Sequence, residues 1–470
     1  MSLEDKLYPL LSFYDRLPLG ARSAIGAVYR CLPTSIRRGK HYRGFQKIIT
    51  EGEAWSQEQV WEYQKQQLRK TLRQAAGFCP FYEKRFAEAR FSPESIHTPE
   101  DMAACPFLTK ADILENLPEM VSRAHPQSSQ LYITTGGSTG VPVGFYLQKG
   151  ISRPKEQAML EGMWKRGGFF EGARLALLRG YVTSTRSTGT ISTYDATRDW
   201  LMLSSYHLTP ERVGEYLSEL EKFRPDLLYV YPSSALMLAD YIEAAGLKWK
   251  IPLRGILCGS ERLTNPQKLI IERVFGCRAF AWYGHSERVV LAAQGRNSDH
   301  YYFVPQYGFV EFGSPNVDGL CEVIGTSFHN MVMPLIRYRT GDFVRLVDPE
   351  EAHEFPWPAV SEIAGREQEF LISATGRKIS LTAFNMHDRV FDDLYAVQFY
   401  QDQRGVAQFR YVSGPTFNPS RLGAIEQSIR RKLGDDFQFT LRQVTEVERT
   451  PSGKHKWLVT ALQPDENTKP

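Results

Sequence analysis

No stretch of this 470-residue chain comes near eighteen uninterrupted apolar residues, so the sequence predicts no membrane span. Cysteine is scarce: Cys31, Cys79, Cys105, Cys258, Cys277 and Cys321 are scattered, with no CxxC pair and no close histidine partners. That scatter argues against a disulfide framework and a zinc site, and it is the usage of a reducing compartment. An excess of charge of one sign is equally lacking, since a net +4 over this length gives no electrostatic footprint for nucleic acid. Internal repeats and low-complexity tracts are missing, which removes solenoids and disordered scaffolds. The start, Met1 to Asp5, carries two acids and no long apolar core follows it, so no secretory signal is expected. What remains, with 42% hydrophobic and 23% charged residues, is a globular chain too long for one core and expected in the cytoplasm.

Residues 1–90 read as a helical region. Glu58 to Arg73 is polar and glutamine-rich and carries Val60, Trp61, Tyr63, Leu68 and Leu72. Between Ala21 and Lys47 stand Arg22, Arg30, Arg37, Arg38, Lys40, Arg43 and Lys47 with no acid. This reads as a solvated face, with a patch for an anionic partner or membrane surface as the alternative. Residues 91–367 alternate short apolar runs with helical segments, the mark of an α/β arrangement. Strands are expected at 175–178, 227–231, 255–258, 278–282, 309–311 and 322–325, with helices at Thr209–Phe223, capped by Thr209 before Pro210, and Ser233–Ala245. From Gln368 onward the pattern is that of a small α+β unit spanning 368–470. It predicts a hairpin over 370–381, another around Gln403-Arg404-Gly405, a helix with Leu422, Ile425, Ile429 and Leu433 on one face, and a final strand at 437–441.

The most telling stretch is Thr134-Thr135-Gly136-Gly137-Ser138-Thr139-Gly140, which follows the apolar Leu131-Tyr132-Ile133. Glycines let successive backbone N–H groups turn toward an anion, and hydroxyls add donors without bulk, so a strand that empties into such a run makes a phosphate cradle. It is not a Walker A loop, because Val141-Pro142 follows where that loop needs Lys-Ser/Thr. Alone, such a run is more often a plain surface turn. Further blocks follow in order: Gly259-Ser260-Glu261 after an apolar strand, Tyr283-Gly284-His285-Ser286-Glu287, Tyr338-Arg339-Thr340-Gly341-Asp342, Gly365-Arg366, and Ser452-Gly453-Lys454. Each also has a plainer reading by itself, Asp342 as a turn residue, Glu287 as a surface carboxylate, Lys454 as a solvated loop lysine.

Taken together and in this order, from roughly residue 60 to 460, the blocks resemble the hallmarks of the adenylate-forming ligases. Within that superfamily the chain looks most like the phenylacetate–CoA ligase-like branch, near members from capsule and surface-polysaccharide gene clusters. The resemblance implies an α/β fold, with a large N-terminal domain of layered sheets and helices and a small mobile α+β C-terminal domain turning about Gln368. It implies ATP and Mg²⁺, a small-molecule carboxylic acid, an acyl-adenylate with release of pyrophosphate, and transfer to coenzyme A. The rival acceptor is an amine or hydroxyl of a sugar or other small molecule, and a third reading is a nucleotide-binding protein that has lost catalysis. A homodimer is allowed.

By the same resemblance, Thr134, Thr135, Gly136, Gly137, Ser138, Thr139 and Gly140 would clamp the β- and γ-phosphates. Tyr283, with Gly284 and Ser286 beside it, would face adenine, with Gly259, Ser260 and Glu261 on the other side. Asp342 would take the ribose hydroxyls, Arg366 would add a cation, and Glu287 would hold Mg²⁺, a hard cation that prefers oxygen. Lys454 would bridge the carboxylate and α-phosphate oxygens. When a carboxylate attacks the α-phosphorus, charge builds on phosphoryl oxygens, so donors and cations must be in place beforehand. The chain departs from the family at Val141, where a lysine is usual, leaving Arg337 and Arg339 as candidates to supply that charge, and at Gln368, where the hinge usually has Asp or Lys. The acyl pocket is expected between Ser204-Ser205-Tyr206-His207, Tyr231-Pro232-Ser233 and the Trp282-Tyr283 strand end. Lys454→Ala is expected to cut acid-dependent pyrophosphate exchange by ~100-fold or more with ATP binding retained; unchanged exchange refutes its assigned role.

Overall fold

The computed structural model describes residues 17–134, 143–179, 190–316, 319–348, 350–364, 370–381, 394–413, 417–448 and 456–462. Its N-terminal part is helical. The helix Gln57–Phe78 opens on a reciprocal cap, in which the Ser56 hydroxyl accepts from the Gln59 N–H and the Gln59 side chain accepts from the Ser56 N–H. Its buried stripe is Val60, Gln64, Leu68, Thr71, Leu72 and Ala75, and it runs five residues past Arg73 until Cys79, which precedes Pro80, turns extended. The basic stretch is not uniformly solvated. Arg38 is paired with the buried Glu161 and stacked on Tyr42, and Arg30 is bonded to the Ala196 carbonyl, whereas Lys40, Arg43 and Lys47 are exposed.

A short antiparallel hairpin, β1 (Gln130–Thr134) and β2 (Gly144–Gln148), precedes the main sheet. That sheet is assembled from β3 (Leu175–Arg179), β4 (Ser192–Asp195), β5 (Trp200–Ser204), β6 (Leu227–Val230), β7 (Gly255–Cys258), β8 (Ala279–Gly284), β9 (Leu291–Gln294), β10 (Tyr301–Phe303), β11 (Gly308–Phe312), β12 (Cys321–Ser327), β13 (Tyr338–Leu346) and β14 (Ala359–Ile363). Its spatial order is β11-β12-β13-β14-β10-β9-β8-β7-β6-β3-β5-β4. Strands β5, β3, β6, β7 and β8 are parallel, and from β9 outward the pairing is antiparallel. The parallel strands are continuous apolar runs because helices such as Val213–Phe223, Pro232–Ala244 and Asn265–Phe275 bury them; Leu178, Val230, Ile256, Leu238 and Phe275 share one core.

Register places Arg179 opposite Ser204, Leu178 opposite Val230, Val230 opposite Cys258, and Cys258 opposite Ala281. The next residue on each strand therefore falls in one row, and Arg179, Ser204, Tyr231, Gly259 and Trp282 line the carboxyl edge of the parallel half. The chain leaves β3 for β5 on one side and then crosses to β6 on the other, so the strand order reverses at β3.

Beyond the main sheet, β15 (Phe370–Ile372) pairs with β16 (Lys378–Ser380) as the expected hairpin. A separate sheet joins β17 (Leu394–Gln403), β18 (Val406–Ser413), β19 (Gln438–Gln443) and β20 (Leu458–Thr460) in the order β19-β18-β17-β20, with the helix Leu422–Leu433 against it. The strand at 438–443 is thus not the last; β20 is too short for its alternation to register in the sequence. The segment 209–223 also differs, since Pro210–Arg212 is a 3₁₀ turn that leads into a helix beginning at Val213. Gln368, the expected pivot, lies outside the described residues. No helix among the described residues is long and apolar enough to cross a membrane.

One buried cation stands out under the sheet. Lys155 Nζ donates to the carbonyls of Tyr307 and Phe328, both at 2.8 Å, and burial pushes its pKa down to about 7. In the unfolded chain that lysine titrates near ~10.4, so between the two values the unfolded state binds a proton that the native state sheds, and stability rises with pH. Lys155→Met is predicted to flatten the rise in urea midpoint from about pH 7 to about pH 9 relative to the parent protein. An unaltered slope contradicts this.

Candidate active site

Open α/β sheets bind ligands beyond the carboxyl ends of their parallel strands, where the strand order reverses. The described candidate residues gather along that edge. After β7 the chain turns sharply, with Ser260 at φ 67°, and Glu261 Oε2 accepts from the Ser233 N–H at 3.1 Å, which ties the ends of β6 and β7 together. A Cβ on Gly259 would lie 2.4 Å from the Trp282 indole, so only glycine lets this strand end close on its neighbour.

Tyr283 lies near the end of β8, the seam between the parallel and antiparallel halves, and its hydroxyl donates to Asp342 Oδ2 at 2.8 Å. Asp342 stands on β13, four strands away in sheet order, which is ~19 Å if the sheet were flat. The antiparallel half must therefore curl back over the end of β8. A second bond makes the same crossing, from the Tyr338 hydroxyl to Glu287 Oε1 at 3.1 Å. Glu287 is largely buried, and its Oε2 lies 3.4 Å from His285 Nδ1. Gly284 and Ser286, both half-buried, lie between Tyr283 and Glu287, so the block is held at both ends by β13. Asp342 is set by its own turn, in which Gly341 takes φ 73° and the Asp342 N–H donates to Thr340 Oγ1 at 3.1 Å.

Thr134 closes β1 as a buried residue opposite Gly144. Thr135, Gly136, Gly137, Ser138, Thr139, Gly140, Val141, Arg366 and Lys454 lie outside the described residues. The structure thus brings Gly259, Ser260, Glu261, Tyr283, Gly284, Ser286, Glu287 and Asp342 to one region of the sheet edge. Glu287 fits a magnesium site chemically, as a hard oxygen ligand of the kind that cation prefers. No group of three or more His, Cys, Asp or Glu residues that could hold a metal occurs among the described residues, so Glu287 would act with the phosphates themselves.

The expectation for Arg337 and Arg339 is corrected. Arg337 forks onto Glu311, with Nε–Oε2 3.0 Å and Nη2–Oε1 2.7 Å, donates to the carbonyls of Ala103 and Cys105, and stacks on Phe107. Arg339 Nε is held by Glu322 at 2.8 Å. Arg337 is a buried anchor of the antiparallel half, and Arg339, half-exposed, is paired with Glu322, so neither stands unpaired beside a triphosphate. Of the expected acyl-pocket residues, Ser204 Oγ and His207 Nδ1 lie 2.9 Å apart, while Tyr206 and Tyr231 are buried against the C-terminal unit, where Arg377 donates to the Tyr206 carbonyl at 2.6 Å. Sequence reasoning missed Arg179. The signal was a single charge at the carboxyl end of an otherwise apolar parallel strand, Leu175-Ala176-Leu177-Leu178-Arg179.

No family model matches the chain. It is 23% identical to Protein CapK of Staphylococcus aureus over 412 residues, covering 86% of this chain and 90% of that protein. It is 28% identical to the phenylacetate-coenzyme A ligase of Pseudomonas putida over 360 residues, 73% and 79% of the respective chains. In structure it matches 2-hydroxyisobutyryl-CoA ligase with a TM-score of 0.54 at 17% identity, covering 93% of this chain and 95% of that one. The likeness to the phenylacetate–CoA ligase-like branch holds in sequence, and the fold is that of an acyl-CoA ligase.

Arg337→Ala leaves the Glu311 carboxylate buried without its partner, and the predicted loss is ~3–5 kcal/mol of unfolding free energy by urea denaturation. Arg337→Lys should not recover it, because an ammonium cannot reproduce the fork. A loss below ~1 kcal/mol contradicts the anchoring role.

Proposed function

We propose that the protein activates a small carboxylic acid with ATP, forming an acyl-adenylate and releasing pyrophosphate, and then passes the acyl group to coenzyme A. The observation that carries this reading is the Tyr283–Asp342 bond, which sets an aromatic face and an acceptor-only carboxylate side by side at the carboxyl edge of the sheet. A nucleoside needs that pair: a flat surface for the base and an anion that accepts from both ribose hydroxyls. The relatives named phenylacetate-coenzyme A ligase support the chemistry, as does the fold shared with a ligase described in complex with 2-HIB-AMP and CoA.

In this reading Tyr283 and the Gly259–Glu261 turn bind adenine, and Asp342 fixes the ribose, which holds the α-phosphorus in one place while the acid approaches. The run Thr134–Gly140 cradles the β- and γ-phosphates. Glu287 would hold Mg²⁺, which supplies charge neutralisation on the phosphate oxygens when bound. With Arg337 and Arg339 committed elsewhere and Val141 uncharged, Lys454 and Arg366 are the protein cations assigned to the reacting phosphate. Residues 1–367 would form the large domain and 368–470 a cap that carries Lys454 in for adenylation and out for thioester formation. A cap of this kind lets one site serve two reactions in turn. We place the enzyme in the cytoplasm.

The test is acid-dependent pyrophosphate exchange over a panel of carboxylates, followed by mass detection of a thioester when coenzyme A is added. Exchange that yields a thioester supports the full reading. Exchange with acyl transfer only to an amine or hydroxyl replaces coenzyme A as acceptor, and no exchange with any acid refutes activation. Asp342→Ala is predicted to raise the KM for ATP by ~10–100-fold, and Tyr283→Phe, which keeps the ring and loses one hydrogen bond, by ~10-fold or less. Equal effects of the two substitutions contradict the division of labour between ring and carboxylate.

A further inference from the structure

Arg179 ends β3, the strand at which the order of the parallel sheet reverses. Its guanidinium lies over two rings of the neighbouring strand end, 4.2 Å from the Tyr229 centroid and 4.7 Å from that of Tyr231. One Nη donates to Ser260 Oγ, in the turn assigned to adenine. Its Nε is shielded from solvent and has no hydrogen-bond partner among the described residues. Burial works against this charge, while the two tyrosines and Glu261 work for it, so the guanidinium stays protonated. The Glu261 carboxylate is itself tied down by the Ser233 N–H.

Position decides what such a cation is for. Between β3 and β8 stand β6 and β7, so the backbone of Arg179 is three strand spacings, ~14 Å, from the strand that carries Tyr283, while its guanidinium leans across β6 to the near side of the Gly259–Glu261 turn. The adenosine end of the site is fixed at Tyr283 and Asp342, on the far side of the Gly259–Glu261 turn. What reaches β3 is therefore the other end of the acyl-adenylate, the tail of the acid. A phenyl or alkyl tail laid there would offer this desolvated guanidinium no acceptor, which is unfavourable. A carboxylate would be met by a planar fork already held in place by two rings.

We propose that Arg179 is the specificity-determining residue of the acyl pocket and that the acid carries a second carboxylate at its far end. This rests on the carboxylate-activation reading above. The protein would then differ from its phenylacetate-activating relatives in the tail it accepts while keeping the same chemistry.

The experiment is pyrophosphate exchange by the full chain with malonate, succinate and glutarate, each against its monocarboxylate counterpart, propionate, butyrate or valerate, and against phenylacetate. The expected result is a kcat/KM at least ~tenfold higher for the best dicarboxylate than for its counterpart. Arg179→Met should shrink that ratio at least ~tenfold, and Arg179→Lys should retain part of it. If the methionine variant does not fold, the parent panel and the lysine variant carry the decision. Preference of the parent for a monocarboxylate or phenylacetate overturns the proposal but leaves acid activation standing. So does an Arg179→Met variant that slows both members of a pair equally, the signature of a merely structural arginine. No exchange with any acid, in protein that still binds ATP, overturns both.

Discussion

Tyr283 and Asp342 are 59 residues apart in sequence and four strands apart in the sheet, yet one hydrogen bond of 2.8 Å joins them. That bond is possible only because the sheet changes character at β8. On one side of β8 lie parallel strands whose carboxyl ends open a crevice; on the other, antiparallel strands curl until β13 comes back to the same edge. Tyr338 and Glu287 repeat the crossing a few residues away. The nucleotide-binding surface proposed here is thus a product of curvature, with one wall from each half of the sheet.

The same geometry explains why Arg337, just before β13, and Arg339, on it, are paired with carboxylates of the sheet. A strand that must fold back over its own sheet needs anchors, and Arg337 and Arg339 provide them through Glu311, Glu322 and the carbonyls before Leu108. The charge missing at Val141 is therefore not made good from β13. In the proposed mechanism the cations come from outside the sheet, from bound metal and from Lys454 and Arg366. The Thr134–Gly140 run then contributes backbone and hydroxyl donors, and the sheet edge contributes position.

Legibility in the sequence followed the range of the signal. Apolar runs such as 255–258 and 309–311 and the face of the helix Leu422–Leu433 were readable because periodicity is local. Blocks such as Tyr283–Glu287 and Tyr338–Asp342 were readable through a resemblance, yet nothing in either block shows that they touch. That contact depends on the curl of strands between them. The error at Arg337 has the same origin: an arginine immediately before a strand looks free in sequence, and only the fold shows Glu311 waiting beneath it. Arg179 went unnoticed because a single charge closing an apolar strand is common, and its meaning appears only once β3 is seen to be the reversal point. Similarly, β20 became visible only as a partner of β17.

The central claim is that the two halves of the sheet jointly hold a nucleotide between the β7 turn and the Tyr283–Asp342 pair. A crystal structure of the protein with bound AMP tests it most directly. The account predicts adenine against the Tyr283 ring, the Gly259–Glu261 turn along its other side, and both ribose hydroxyls within ~3 Å of the Asp342 carboxylate. AMP bound elsewhere, or a ribose held by a carboxylate other than Asp342, contradicts it.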